Sequence, residues 1–303
     1  MILSSPVILS SILMAGALQV GLNPQVGGMP EVPEELLDRP PRGSDAQAIE
    51  SPESQWLAEC LGLLPQEAAR AHSLAQIRRN DTSGTQRVLA NHCLGLAATE
   101  LGLWEDAIGA FRAARAETPE TELSARARFG AMAGNAALAG GFPARALTIL
   151  QLAKMDAQRA ASANLEAIAS IDLARTFVAM EQPFDALTEL ENANRLLPSN
   201  SEGWLLQATL LRRLDRLDEA QSAIERAAEL APMDAQIGLE AGVIAVLAGR
   251  DETARASWQS VIEIQPDSLA AASARRYLDQ LGPPAPIQTE AAAGTEAGAA
   301  QQP

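Results

Sequence analysis

The chain has 303 residues, 47% of them apolar and only 3% aromatic, enough apolar material to bury a continuous core, which excludes a wholly disordered protein. Its 38 acidic and 23 basic side chains leave a formal charge of -15, and no stretch interleaves Lys and Arg with aromatics, so nucleic acid is not an expected partner: phosphate is repelled over most of the surface. Alanine and leucine dominate and β-branched residues are sparse, which points to helices packed closely through small side chains.

Residues 1–22 carry an apolar run from Pro6 to Leu18, and Ala15-Gly16-Ala17 supplies the small-x-small pattern at which a signal peptidase cuts. An export signal is the expectation, although only the terminal amine provides the usual positive start. An uncleaved membrane anchor and a misplaced start followed by a cytoplasmic tail are the competing readings. No cysteine closes the apolar run, so a lipoprotein is not expected. Residues 23–52 are rich in Pro, Gly and acidic side chains, as in Pro40-Pro41-Arg42-Gly43-Ser44, and read as a linker. Residues 53–82 follow as a degenerate helical hairpin, Trp56 to Leu64 and then Pro65 to Arg79.

A repeat comes next. Pro198, Pro232 and Pro266 stand 34 residues apart, and a fixed period of this length marks a repeat architecture. Aligned on these prolines, Ala186, Ala220 and Ala254 form one column, Leu190, Ile224 and Trp258 a second, and Ala193, Ala227 and Val261 a third. Upstream, Pro119 has Ala107, Phe111 and Ala114 at the same offsets, and Gly95 stands where Ala174, Ala208 and Gly242 stand later. A copy without the proline shows Gly134, Ala146, Leu150 and Ala153.

In these columns the sequence resembles the tetratricopeptide repeat family of bacterial and other proteins, with a small residue at repeat position 8, Ala at 20, a large apolar residue at 24, a small one at 27 and Pro at 32. The resemblance implies an all-α, right-handed superhelical solenoid of antiparallel helix hairpins over residues 53–281. The small residues at 8 and 20 are expected where the two helices of a hairpin cross, and the large one at 24 between hairpins. Units begin near Val88, Ala127, Ala167, Ser201 and Ala235, so the spacings are 39, 40, 34 and 34, and the early units need longer helices or loops. Residues 267–281 are expected as a capping helix with Leu269, Ala272 and Leu278 inward and Arg275 and Arg276 outward. Residues 282–303, opening with Gly282-Pro283-Pro284-Ala285-Pro286, read as a disordered tail.

Little in the chain suggests chemistry. A phosphate-binding loop, a nucleophile elbow and a His joined to a carboxylate and a nucleophile are all missing from the sequence, so no enzyme is expected. The glycines Gly95, Gly102 and Gly109 are accounted for by helix crossings and turns, and Asp218-Glu219 and Asp251-Glu252 by the favourable end of the helix dipole. His72, His92, Cys60 and Cys93 could be imagined as a metal set, but the only close pair is the adjacent His92-Cys93, whose side chains point about 100° apart on a helix, so neither a metal nor any other cofactor is expected. On the implied fold Cys60 and Cys93 lie on the first helices of neighbouring hairpins. Two readings stay open for them, a disulfide clamping the first hairpin and a pair of small buried apolar side chains.

The resemblance further implies that ligands lie in a concave groove lined by the first helices at positions 2, 5, 9 and 12. Those positions hold Leu89, His92, Leu96 and Thr99; Arg128, Ala131, Asn135 and Leu138; Ile168, Ile171, Arg175 and Val178; Glu202, Leu205, Thr209 and Arg212; and Gln236, Leu239, Val243 and Val246. The carboxylate clamp of chaperone-binding relatives is not expected, because only Asn135, Arg175 and Arg212 fall on a comparable line, without a lysine. The expected partner is a protein or peptide, an apolar segment with an acidic group, held by a scaffold in the bacterial periplasm; a cytoplasmic or inner-membrane-anchored scaffold is the alternative. A self-associating homo-oligomer and an accessory subunit of a separately encoded enzyme are the rival functions. Contact with a membrane is expected only if the N-terminal segment stays uncleaved.

Overall fold

The structure, a computed structural model, describes residues 52–283. The expected signal or anchor, nearly all of the linker and the tail from residue 284 lie outside the described residues. Within them, twelve α-helices and no strands follow one another: α1 Pro52–Asp81, α2 Thr85–Glu100, α3 Trp104–Glu117, α4 Leu123–Ala139, α5 Pro143–Arg159, α6 Ala163–Ala179, α7 Pro183–Leu196, α8 Ser201–Arg213, α9 Leu217–Leu230, α10 Ala235–Leu247, α11 Asp251–Ile264 and α12 Leu269–Leu281. Each helix packs on the next in sequence, and α4 also touches α6, α8 touches α10 and α10 touches α12. None of these helices is long and apolar enough to cross a membrane.

The run α1 bends at Glu67 (φ -131°, ψ 43°), just after Pro65. Proline removes a helical hydrogen bond and crowds the preceding turn, and here the chain doubles back. The Arg78 guanidinium lies 4.6 Å over the Trp56 ring, and Cys60 Sγ reaches the Ala71 carbonyl at 3.8 Å, neither of which a straight helix permits. Residues 52–81 thus run as two helical arms on either side of the bend.

Turns inside the hairpins share one construction. After α2, α4, α6, α8 and α10 a residue with left-handed φ, at Gly102, Gly141, Glu181, Asp215 and Gly249, is followed by an N–H that reaches back to a carbonyl of the last helical turn. Leu103 donates to Ala98 (2.8 Å), Phe142 to Ala137 (2.9 Å), Gln182 to Phe177 (2.8 Å), Arg216 to Leu211 (2.9 Å) and Arg250 to Ala245 (2.9 Å). Between hairpins the stop differs. Thr118, Leu197, Ala231 and Gln265 leave the helical region, and each precedes a proline, which disfavours helical geometry in its predecessor. The 34-residue units restart on side-chain caps: Asn200 accepts from the N–H of Glu202, Asp234 from Gln236 and Ser268 from Ala271.

The longer early spacing is a matter of helix length. Helices α4, α5 and α6 have 17 residues each, whereas α8 and α9 have 13 and 14, so roughly one turn of 3.6 residues is added per helix. The packing columns are undisturbed. Ala107, Ala146, Ala186, Ala220 and Ala254 are all fully buried. The first-helix small residue lies directly against the large residue 16 positions later in the chain: a Cβ on Gly95 would stand 2.5 Å from Phe111, on Gly134 2.4 Å from Leu150, and on Gly242 2.1 Å from Trp258. The large side chain thus fills space inside its own hairpin, in addition to the expected gap between hairpins. Gly109 differs from the expectation too, being exposed with nothing near its missing Cβ, so no crossing or turn requires it.

The capping helix reverses part of its expected orientation. Leu269 is 86% exposed and Ala272 is exposed, while Ala270, Ala271 and Ala274 are buried. The buried alanines belong to one cluster with Trp258 and Val261 of α11, and Trp258 also lies 5.2 Å, centroid to centroid, from Tyr277 of α12 itself. Leu278 packs against this cluster as expected, and Arg275 and Arg276 face outward.

Candidate functional site

The first helices α2, α4, α6, α8 and α10 carry the residues expected to meet a partner, and the structure sorts them into three groups. Apolar and half-buried are Leu89, Leu96, Leu205, Leu239 and Val243, with Ile168 more open at 38%. Ile171 does not belong with them. It is 3% exposed inside the core of Leu187, Leu190 and Leu210, with its side chain close to Gly203 at the start of α8, and it is unavailable to a partner.

A second group is polar and already engaged. Asn135 donates to Asp172 at 3.0 Å, Asp172 accepts from Arg175 at 2.9 Å, and Arg175 also pairs with Glu202 on the next unit. Arg212 meets Glu240 at 2.5 Å across the following seam. Asp172, which the sequence reading passed over, is the centre of the first network. Burial pushes its carboxyl above the usual Asp range, and the Asn135 amide and Arg175 guanidinium hold it partly back. Asn135, Arg175 and Arg212, which stood on the line of a carboxylate clamp, are therefore each satisfied from within the chain. A carboxylate at position 6 of the following unit is the signal that would have found this.

Third are the side chains left open. Arg128 is exposed and makes no hydrogen bond or ion pair among the described residues, and the same holds for Arg213 at the end of α8. Thr209 is half-buried and lines a cleft of about 180 Å³ between α6 and α8 with Val178, Leu206 and Leu210. A second cleft, of about 310 Å³, lies between α10 and α12, walled by Val243, Val246, Trp258 and Tyr277.

His92 sits edge-on to Phe129, with ring centroids 5.4 Å apart, and burial lowers its pKa, which keeps the imidazole neutral near pH 7. His72 faces Asp106 at 3.4 Å. Cys60 and Cys93 are joined as a disulfide with their Cα atoms 6.3 Å apart, both nearly fully buried. Among the described residues no three His, Cys, Asp or Glu side chains group as a metal site.

No family model matches the sequence, and no curated protein matches it. Solved structures do. The chain is similar to pilF of Pseudomonas aeruginosa, at 18% identity and a TM-score of 0.57 over 75% of this chain and 97% of that one. It is also similar to BtubC (BKLC) of P. vanneervenii, at 16% identity and a TM-score of 0.55 over 71% and 92% of the two chains. YrrB, described as a TPR protein with an unusual peptide-binding site, aligns more loosely, at 23% identity and a TM-score of 0.46 over 62% and 92%. With the hairpins, the turn geometry and the small-to-large packing columns already in place, the likeness to pilF and BtubC identifies the fold of this chain as the tetratricopeptide-type helical solenoid.

Proposed function

We propose that the chain is a scaffold that binds a polypeptide along the face of its first helices, in the bacterial envelope. The observation that carries the reading is the composition of that face. Half-exposed Ile168, Leu205, Leu239 and Val243 share this face with two apolar clefts, while the cations Arg175 and Arg212 are already neutralised by the chain's own carboxylates. A surface of this kind favours an apolar segment over a highly charged ligand. The buried Cys60–Cys93 bridge supports an oxidising compartment, since such bonds persist outside the cytosol, and agrees with export of the chain. Self-association is the second reading, favoured by exposed Leu152 (43%), Met155 (55%) and Phe184 (70%) on second helices.

Photo-crosslinking in fractionated cells tests this. A benzoylphenylalanine placed at Leu205 or Leu239 is expected to trap a foreign polypeptide in the envelope fraction, on a chain without free thiols, and one at Met155 is not. Adducts formed only from Met155, or only between copies of this chain, overturn the reading in favour of self-association. Adducts in the cytosolic fraction with two free thiols move the scaffold out of the envelope.

A further inference from the structure

The two apolar clefts are the same place in the repeat, two units apart. Val178, Leu190 and Thr209 line the first and Val246, Trp258 and Tyr277 the second, each pair separated by 68 residues. The seams between first helices differ in one column, occupied in turn by Asp172, Leu206, Glu240 and Ala274 at 34-residue intervals. Asp172 closes the α4–α6 seam through Asn135, and Glu240 closes the α8–α10 seam through Arg212, with the pair only 14% and 23% exposed. Leu206 and Ala274 are apolar, and a cleft remains beside each of them, although Arg175 still reaches Glu202 across the α6–α8 seam.

We infer that the face of the first helices binds an extended segment through two apolar side chains five or six residues apart, one in each open slot, with an acidic residue beside the one held between α6 and α8. This rests on the proposed polypeptide-binding reading of the same face. Packed helices lie about 8–10 Å apart, so slots two seams apart are separated by about 16–20 Å, which an extended chain covers in five or six residues at about 3.3 Å each. A helical segment would need about 11–13 residues and would lay its intervening apolar stripe over the Arg212–Glu240 pair.

The slots also differ in what they accept. The α6–α8 slot, about 180 Å³, suits an aliphatic side chain such as Leu, and the 310 Å³ slot with Trp258 and Tyr277 suits an aromatic one. Arg213, at the rim of the first slot, has no ion pair among the described residues, although Glu181 shares the adjoining wall. Its counterpart in the second slot, 68 residues on, is Leu281. The acidic neighbour therefore belongs with the aliphatic anchor.

Fluorescein-labelled synthetic peptides of Gly and Ser test the register. They carry a Leu-Asp pair and a Phe five or six positions away, in either order along the chain. Comparison peptides lack one anchor, replace Asp by Asn, or set the anchors two positions apart. The spaced two-anchor peptide is expected to bind at least about tenfold more tightly than any single-anchor or close-spaced form. Arg213→Glu should abolish the preference for Asp over Asn, and Leu247→Asp, at a 54% exposed residue on the second slot, should reduce the two-anchor peptide to single-anchor affinity. Both variants are at exposed positions that leave the core intact.

Equal affinity at all spacings overturns the register, as does an optimum at 11–13 residues, which would indicate a helical ligand. Saturation by no peptide below about 1 mM also overturns it. If crosslinks nevertheless map to Leu205 and Leu239, the register alone has failed; if those are missing too, the polypeptide-binding reading has failed with it. Binding that appears only after residues 284–303 are removed would mean that the chain's own tail, with Ile287 its large apolar residue, is the occupant, and overturns the assignment to a separate partner.

Discussion

The last two hairpins and the three before them solve one packing problem in different ways. From α8 onward each unit is punctuated by its sequence: a side-chain cap opens the first helix, a left-handed turn joins the two helices, and a residue driven out of helical geometry by the next proline closes the unit. Further upstream α4, α5 and α6 run a full turn longer, and the junction between α5 and α6 has no proline. There Ala161 takes a left-handed φ of 50°, and the Ser162 N–H reaches back to Ala157 at 3.1 Å, which is the turn used elsewhere inside hairpins. The C-terminal units thus carry the full set of local signals, whereas the upstream ones carry only some of them, such as Thr118 before Pro119 and the Ser162 cap on α6, and add a covalent tie. The comparison separates what sets the period, the stop signals, from what sets the hairpin, the small residue lying against the large one 16 positions on.

The largest test of this contrast is to remove the tie. The Cys60–Cys93 bridge spans 33 residues, and on a chain-entropy basis a loop of that size contributes about 3–4 kcal/mol. Its partners Ala71, Ala75, Leu94 and Ala97 are small or already shared with the neighbouring hairpin. A Cys60→Ser, Cys93→Ser double variant should therefore lose about that much in guanidinium denaturation, with residues 52–84 cut first in limited proteolysis. An unchanged midpoint, or first cuts within residues 235–281, would show that the N-terminal hairpin stands without its tie.

In the punctuated half the corresponding test is steric. Gly242→Ala places a Cβ 2.1 Å from Trp258 Nε1, so the ring must move and its 3.1 Å hydrogen bond to the Leu239 carbonyl must go. Overpacking of this kind costs about 1–3 kcal/mol, read as a lowered thermal midpoint. Gly109→Ala, with nothing within 4 Å of the added carbon, should instead raise stability by about 0.5–1 kcal/mol, the ordinary helical preference of Ala over Gly. Equal effects at the two glycines would mean that the 16-residue small-to-large column does not organise the hairpin.

What could be read from the sequence follows the same division. Pro198, Pro232 and Pro266 with their alanine columns revealed the hairpins, because the small residues are dictated by a helix crossing that every unit shares and a proline marks the stop of all but one. The orientation of the capping helix was misjudged at Leu269, since the side that meets Trp258 and Val261 carries the small residues Ala270, Ala271 and Ala274. Ile171 was misplaced because its side chain lies against Gly203 of the next unit, which nothing in its own repeat reveals. On the face of the first helices, Arg175 and Arg212 stood on the line of a carboxylate clamp, and nothing local to them revealed Glu202 and Glu240, which come from the next unit. Pairings across a seam depend on how neighbouring first helices are offset, which a single repeat does not encode.

The smallest expected effect bears on the junction where the two halves of the comparison meet. An L-residue with a side chain pays about 1–2 kcal/mol to sit in the left-handed region, and Ala161 is exposed there with a single methyl group. Removing that methyl forfeits little burial and relieves the strain, less the extra backbone entropy that glycine loses on folding, about 0.5–1 kcal/mol. Ala161→Gly should therefore stabilise the chain by about 0.5–1 kcal/mol, a change whose sign is opposite to that expected for the same substitution inside α5 or α6. Glu181→Gly, at a φ of 60°, should do the same within a hairpin. A rise in thermal midpoint for both would show that one kind of turn serves at either place in the early units. A fall at Ala161 alone would mean that α5 and α6 are continuous enough in solution for helix propensity to govern the junction, and that the missing proline leaves a joint held only by its neighbours.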